Sequence, residues 1–391
     1  MPYQTHKQPS PRKKGVKKIN IPLLSFFTGG GFLDMGFEKE GFEIVWTNEN
    51  NHFFADLYEA GYSSWRSAYG KPDCVKITER RSLENLDAGR ILDDAFGKRR
   101  PVFFGVIGGP PCQDFCSAGK HQGFDGERGR LTRTYINMVC DLAADFVVLE
   151  NVSGLYKFAK HRPFLLELVK QLENAGYAVD YHILNAINFH VPQNRERFFL
   201  VGISKTLLSS SGTLSLPKQN GHWFAWPRNK NNPLTDCHWP KTSRFGGRPR
   251  KPRGIPEELF VASYLISNSH CEGIANGTDT FRAHSSRFHE IDEGDTSGKS
   301  FKRLHRYRYS PTACYGNNEV HLHPWEPRRL SLREVMRIQG IPDTYVLPEN
   351  NSLTNKFKLV GNGVPVPLAR EVARCVKQYI RNNCHSFKSV E

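Results

Sequence analysis

Val102-Phe103-Phe104-Gly105-Val106-Ile107-Gly108-Gly109-Pro110-Pro111-Cys112 is the stretch from which the rest of the chain can be read. Residues 102–107 have the apolar character of a buried strand, and two glycines and two prolines that cannot continue a ladder then stop it. Cys112 therefore stands at the carboxyl end of a strand, where open α/β sheets collect ligands and reacting side chains. Many cysteines are simply small buried hydrophobes. Here a stiff Pro-Pro flank precedes the thiol, and a polar segment with Gly119, Gly123, Gly126 and Gly129 follows it, as in a binding loop or lid.

The same grammar repeats on both sides. Upstream, residues 21–27 read as a strand that runs into Thr28-Gly29-Gly30-Gly31, followed by a helical pattern through Phe32, Met35, Gly36 and Phe37. Glycines at such a turn let backbone N–H groups approach a ligand at a helix N-terminus. Their spacing departs from G-x-G-x-x-G and does not by itself specify a dinucleotide. A second strand, residues 43–47, ends at Asn48-Glu49, so Glu49 falls 20 residues after Gly29, where a carboxylate can hold a ribose hydroxyl. Capping of the helix that begins near His52 is the other role open to Glu49. Residues 73–75 read as a short strand end and 83–96 as a helix.

Downstream, residues 135–144 look helical, and Phe146-Val147-Val148-Leu149 is a buried strand ending in Glu150-Asn151-Val152. Two successive strand ends thus bear Cys112 and Glu150, the pattern of a shared site. A helix at 164–172 and strands at 177–184 and 198–203 follow, the last preceded by Gln193-Asn194-Arg195-Glu196-Arg197. Strands alternating with helices imply an α/β class and a doubly wound sheet. From Ser204 the alternation stops for about 120 residues, which predicts a catalytic and cofactor-binding unit at 20–203, a second, smaller irregular domain at 204–325 and a return at 326–391. Residues 1–19, basic and rich in polar residues, read as a disordered arm.

Composition narrows the function. The chain of 391 residues is 38% hydrophobic, enough for a real core, and its 54 Lys and Arg exceed 39 Asp and Glu by 15. That excess points to a polyanion such as nucleic acid. Nine cysteines without a Cys-x-x-Cys pair argue against a disulfide framework and the common zinc spacings. No apolar run approaches the ~20 residues that span a bilayer, so a soluble protein without a membrane partner is expected.

Two basic stretches stand out in the irregular segment. Residues 244–253, Arg-Phe-Gly-Gly-Arg-Pro-Arg-Lys-Pro-Arg, read either as a charged linker or as an extended segment resembling the Gly-Arg-Pro core of peptides that lie in a narrow minor groove. Residues 303–309, if a strand, turn Arg306 and Arg308 to one side and Tyr307 and Tyr309 to the other, which suits an anion-facing edge backed by aromatic packing. Ser331-x-x-Glu334 is a capping-box pattern. Leu368, Val372, Val376 and Ile380 form a helical apolar stripe, expected to pack beside the first strand.

Taken in order, these pieces resemble the DNA cytosine carbon-5 methyltransferase family. The resemblance rests on Phe27-Thr28-Gly29-Gly30-Gly31, Glu49, Gly109-Pro110-Pro111-Cys112-Gln113, Arg128-Gly129, Glu150-Asn151-Val152, Gln193-Asn194-Arg195-Glu196-Arg197, Arg329-Leu330-Ser331 with Arg333-Glu334, and Gly361-Asn362. It covers residues 23–203 and 326–380, and the irregular segment falls where that family carries its variable target-recognition domain. The implied fold is the Rossmann-like mixed sheet of S-adenosylmethionine-dependent methyltransferases.

The resemblance implies a stand-alone enzyme of restriction-modification type. It would methylate carbon 5 of a flipped-out cytosine in a specific double-stranded DNA sequence, as a monomer, in the bacterial cytoplasm beside the nucleoid. Cys112 would attack carbon 6, Glu150 would hold the cytosine N3 and amino edge, and Arg195 and Arg197 would orient the base or Glu150. Phe27, Gly29, Gly31, Glu49, Asn50, Asp73, Cys74, Leu131 and Asn362 would bind S-adenosylmethionine. Three positions depart from the family pattern: Ser25 stands where Asp is usual, Phe104 replaces a common Asp, and Cys116 replaces Ser. A transfer-RNA methyltransferase, a catalytically silent nucleic-acid-binding relative and a plain dinucleotide oxidoreductase are the competing readings.

Overall fold

The structure is a computed structural model that describes residues 20–71, 76–111, 127–209, 222–229, 231–282, 285–298, 300–312, 315 and 320–383. Asp73, Cys74, Cys112, Cys116 and the basic arm lie outside the described residues, and so does most of the loop after Cys112.

Six strands form the central sheet: β1 (Ile21–Phe26), β2 (Phe42–Asn48), β3 (Gly105–Gly108), β4 (Phe146–Val152), β5 (Tyr177–Asn185) and, after the two-residue β6 (Gln193–Asn194), β7 (Glu196–Ser204). Their order is β2-β1-β3-β4-β7-β5. The pairs β1/β2, β1/β3 and β3/β4 are parallel, whereas β7 runs antiparallel to both β4 and β5. The link between β5 and β7 is too short to carry a crossover helix, so β7 returns reversed. The sheet is therefore mixed, as expected.

Period-two alternation divides the interior into two layers. Leu23, Phe146 and Val148 face one core, closed by α1 (Phe32–Lys39) and a long C-terminal helix (Val366–Asn383). Leu24, Val147 and Leu149 face the other, closed by α4 (Glu127–Leu142) and α5 (Arg162–Asn174). Between α1 and α4 lie α2 (His52–Ala68) and α3 (Ala88–Phe96), and α6 (Leu332–Ile338) and α7 (Leu353–Asn362) precede the C-terminal helix, α8. The stripe of Leu368, Val372, Val376 and Ile380 packs beside β1 as the sequence predicts. Gly36 makes the close approach of α8 to α1 possible, since a Cβ there would collide with Ala369 and the Arg370 backbone.

Several boundaries differ from expectation, each for a local reason. Val102 is 82% exposed and β3 starts only at Gly105, because the Phe104 N–H is taken by the Asp145 carboxylate at 2.8 Å instead of by a strand. The helix read at 83–96 splits into a short turn at Leu83–Asn85 and α3, whose N-cap Asp87 accepts from the Arg90 N–H. Helix α4 starts at Glu127, so Arg130 and Leu131 are helical.

Beyond β7 the ladders are short: β8 (Phe301–Arg303) pairs with β10 (Val320–Leu322), and β9 (Ser310–Pro311) pairs with β6. The expected strand over 303–309 ends at Arg303 and gives way to a turn. Arg306 does not face an open anion site. Its guanidinium grips both oxygens of the buried Glu293 at 2.8 and 2.7 Å and lies over Trp325. Tyr307 and Tyr309 do pack inward, against Phe260 and Trp239. An aromatic strap, Trp223-Phe224-Ala225-Trp226, rests on β5, where Asp180 accepts from the Trp223 and Phe224 N–H groups at 2.7 and 3.0 Å.

Candidate active site

The carboxyl ends of β1 to β4 lie on one edge of the parallel part of the sheet and carry two clusters. The first begins where β1 ends. Phe27, Gly29 and Gly31 have φ of 53°, 54° and 71°, a left-handed path that glycine adopts freely and phenylalanine does not. A Cβ built on Gly29 would meet nothing closer than the Phe27 carbonyl at 4.0 Å, so the space above the turn is open. The Phe27 ring is half-buried against Tyr135 at 6.3 Å between centroids. Leu131 lies one turn before Tyr135 on α4 and so shares its face.

Glu49 follows β2 directly and is 7% exposed. Its carboxylate accepts the Gly29 N–H and the Asn51 N–H, each at 2.9 Å. Burial raises its pKa above the ordinary carboxylate value, against the lowering effect of those two N–H groups. The residue capping α2 is Asn51, which accepts from the Phe54 N–H, so Glu49 is bound to the glycine turn and does not act as that cap. Asn50 beside it is exposed.

The second cluster spans β3, β4 and β7. Glu150 is buried near the end of β4, and Arg197 Nε meets its Oε1 at 2.9 Å. Burial pushes the Glu150 carboxyl up, while Arg197 and then Arg195 pull it down. Gly109 lies directly against this carboxylate: a Cβ there would come within 2.9 Å of Glu150 Oε2. The neighbouring Asn151 amide donates to the Pro110 carbonyl at 3.4 Å, fixing the Pro-Pro turn that leads to Cys112 against β4.

Arg195 is fully buried and its Nη2 donates to the carbonyls of Gly361 and Gly363 at 2.6 and 2.9 Å. Those carbonyls flank Asn362, whose side chain is exposed at the end of α7. Arg195 thus joins the Glu150 cluster to Asn362, which the sequence assigns to the cofactor. Of the predicted residues, Glu150, Arg195 and Arg197 come together in one group, and Phe27, Gly29, Gly31 and Glu49 in another.

Sequence reasoning missed the support beneath the glycine turn. Asp34, fully buried, accepts from Ser25 Oγ at 2.6 Å and from the Tyr58 hydroxyl at 3.2 Å. Burial drives its carboxyl up to about 7, against those hydrogen bonds. The Tyr345 hydroxyl donates to the Gly30 carbonyl at 2.9 Å. The departure at Ser25 has a structural counterpart here: a carboxylate is present beside β1, on α1 instead of within the strand. Phe104, the second departure, is buried with Phe96 at 5.3 Å and Arg100 over its ring. A cavity of about 460 Å³ walled by Phe281, Tyr315, His321, Arg329 and Phe357 includes none of the predicted site residues.

Residues 21–378 match the family model for C-5 cytosine-specific DNA methylases. The chain belongs to that family. It is 40% identical over 380 residues to the Type II methyltransferase M.NmeDI of Neisseria meningitidis serogroup C, covering 94% of this chain and 86% of that one. It is 31% identical over 371 residues to the Type II methyltransferase M.MthTI of Methanothermobacter thermautotrophicus, covering 92% and 98%. The fold is similar to that of the Entamoeba histolytica methyltransferase EhMeth, with a TM-score of 0.61 at 12% identity over 93% of this chain and 99% of the other. Spodoptera frugiperda DNMT2, as a triple mutant, gives 0.56 at 16% identity over 92% and 100%. The protein is a DNA cytosine-5 methyltransferase with the α/β fold of that group.

Proposed function

We propose that the protein transfers a methyl group from S-adenosylmethionine to carbon 5 of a cytosine flipped out of a specific double-stranded DNA sequence, through a covalent bond from Cys112 to carbon 6. The observation that supports this reading most is the buried Glu150–Arg197 pair lying against Gly109, three residues before Cys112. A carboxyl raised by burial and a guanidinium within hydrogen-bond reach suit the N3 and amino edge of a cytosine.

The residues of the first cluster fit S-adenosylmethionine. Open space over a left-handed glycine admits close approach of backbone to ligand, the buried Glu49 carboxylate suits ribose hydroxyls, and the Phe27 ring suits adenine. Asn50, Leu131 and Asn362, with Asp73 and Cys74 outside the described residues, complete the proposed set. When bound, S-adenosylmethionine supplies an electrophilic methyl group.

Cytosine carbon 5 is a weak nucleophile, and the chain's residues address that. The Cys112 thiolate adds to carbon 6 and turns the ring into an enamine, while Glu150 holds N3 and offsets the charge that develops there. A thiol of ordinary pKa ~8.5 is mostly protonated at neutral pH, so nearby cations must favour the thiolate. Loss of the carbon-5 proton then re-forms the ring double bond and expels the thiolate. None of this chemistry can reach a stacked base, and unstacking costs a few kcal/mol that contacts to the DNA must offset. Residues 204–325 serve as the target-recognition domain. The enzyme works as a monomer in the bacterial cytoplasm, as the modifying half of a restriction-modification pair.

Incubation of the protein with methyl-labelled S-adenosylmethionine and either duplex DNA or transfer RNA tests the proposal. Label at cytosine carbon 5 of DNA is the expected outcome. Label in RNA alone overturns it, as does binding of both ligands without turnover.

A further inference from the structure

We propose that residues 244–253 form a preformed phosphate-contacting edge for the DNA backbone, with Arg244, Arg248, Arg250 and Arg253 as its cations; the inference rests on the reading of duplex DNA as substrate. The segment holds five cations and no acid. As a charged linker it would be loosely attached, but its inner side is anchored along its length. Ser243 and Glu293 exchange backbone hydrogen bonds at 2.9 and 2.8 Å. The Phe245 N–H donates to Asp292 at 3.0 Å, and the Phe245 ring lies under the buried Arg303 guanidinium at 3.9 Å. Arg306, itself clamped by Glu293, donates to the Gly247 carbonyl at 3.1 Å.

The backbone path is equally defined. The Gly247 N–H closes a turn onto the Arg244 carbonyl at 3.0 Å, and Gly246 supplies the φ of 78° that this turn needs. Pro249 and Pro252 are half-buried and stiffen the segment that follows, and Lys251 pairs with Glu257. Arg244, Arg248, Arg250 and Arg253 are all exposed. Among the described residues none of the four has an ion pair, a side-chain hydrogen bond or an aromatic partner.

That lack of partners is contrary to the chain's habit elsewhere. Exposed or half-exposed arginines on the rest of the surface find carboxylates: Arg80 with Asp56 and Glu59, Arg133 with Glu167, Arg337 with Asp343, Arg370 with Glu40. Four uncompensated guanidiniums within ten residues repel one another, and a polyanion relieves that repulsion. The planar guanidinium fork matches phosphate oxygens. Because the backbone is already held, little ordering entropy opposes binding.

Salt dependence of DNA binding by the full chain tests this. The fourfold variant R244A/R248A/R250A/R253A is expected to lower the slope of log K against log salt by about 0.9 for each phosphate contact removed. The fourfold lysine variant is expected to keep most of the slope, and affinity is expected to fall equally on methylated-site and unrelated duplexes. An unchanged slope in the alanine variant, with its thermal transition intact, overturns the proposal. A loss confined to one DNA sequence also overturns it, because the arginines then read bases. Methyl transfer by the wild type separates the two claims: transfer with an unchanged variant slope sinks the edge alone, and a reduced slope without any wild-type transfer to DNA sinks the functional reading alone.

Discussion

The sheet and the irregular region from 222 to 329 solve the same problem of buried backbone groups in different ways. In the sheet, seven-residue and nine-residue strands bond one another and their side chains form two apolar layers. In the irregular region the ladders are two or three residues long, and many carbonyls have no strand partner. Arginines supply the missing donors. Arg303, fully buried, donates to the carbonyls of Ile291, His323, Glu326 and Phe288. Arg328 reaches the Ile266 carbonyl and the carboxylates of Glu326 and Glu334. A net charge of +15 is therefore not a simple measure of attraction for DNA, since part of the basic content works as interior scaffolding and another part stands free at the surface.

This contrast can be broken at several points. The largest effect is expected in the sheet: Glu150→Gln should lower the initial rate of methyl transfer by about 10²–10⁴-fold, the range for a group acting on a proton or charge in the transition state. A rate within threefold of wild type would remove Glu150 from the site. Next, Arg303→Met should destabilise the fold by ~3 kcal/mol or more in urea unfolding, because several buried carbonyls lose their donor at once. Arg248→Ala, on the exposed edge, should change stability by less than about 0.5 kcal/mol. Equal losses in the two variants would erase the distinction between scaffold and surface arginines.

Smaller effects probe the support under the glycine turn. Tyr345→Phe leaves the buried Gly30 carbonyl without its donor and should cost about 1–3 kcal/mol, with weaker S-adenosylmethionine binding by calorimetry. The smallest expected change concerns pH. Asp34 has a folded-state pKa of about 7, above its ordinary 3.8, so the folded protein binds the proton more tightly than the unfolded chain. Its contribution to stability is then fully present below about pH 4 and declines as pH rises through about 7. Asp34→Asn should flatten that decline, read as the difference in unfolding free energy between pH 5 and pH 8. An unchanged difference would show that Asp34 is ionised throughout.

Much of the sheet was legible because its strands are short apolar runs that end at glycine, proline or a carboxylate. Glu150 and Glu49 could be found in this way, each from its own strand. Arg195 could be named, but not its grip on the carbonyls of Gly361 and Gly363, since no local pattern links positions 166 and 168 residues apart. Asp34 escaped because one acid in the first turn of a helix usually reads as a dipole partner, and its burial depends on Tyr58 from another helix. The strand expected at 303–309 failed because Glu293, distant in sequence, draws Arg306 inward and the chain turns there. Where periodicity governs packing the chain could be read directly, and where single arginines organise carbonyls it could not.

The most direct test of the site is a trapped complex. Duplex DNA containing 5-fluorocytosine at the methylated position cannot lose a carbon-5 proton, so a covalent attack should leave a stable adduct in the presence of S-adenosylmethionine. The account predicts a cross-linked peptide containing Cys112 in the wild type and no adduct in Cys112→Ala. An adduct of equal yield in that variant, or one mapped to another cysteine such as Cys140, would contradict it.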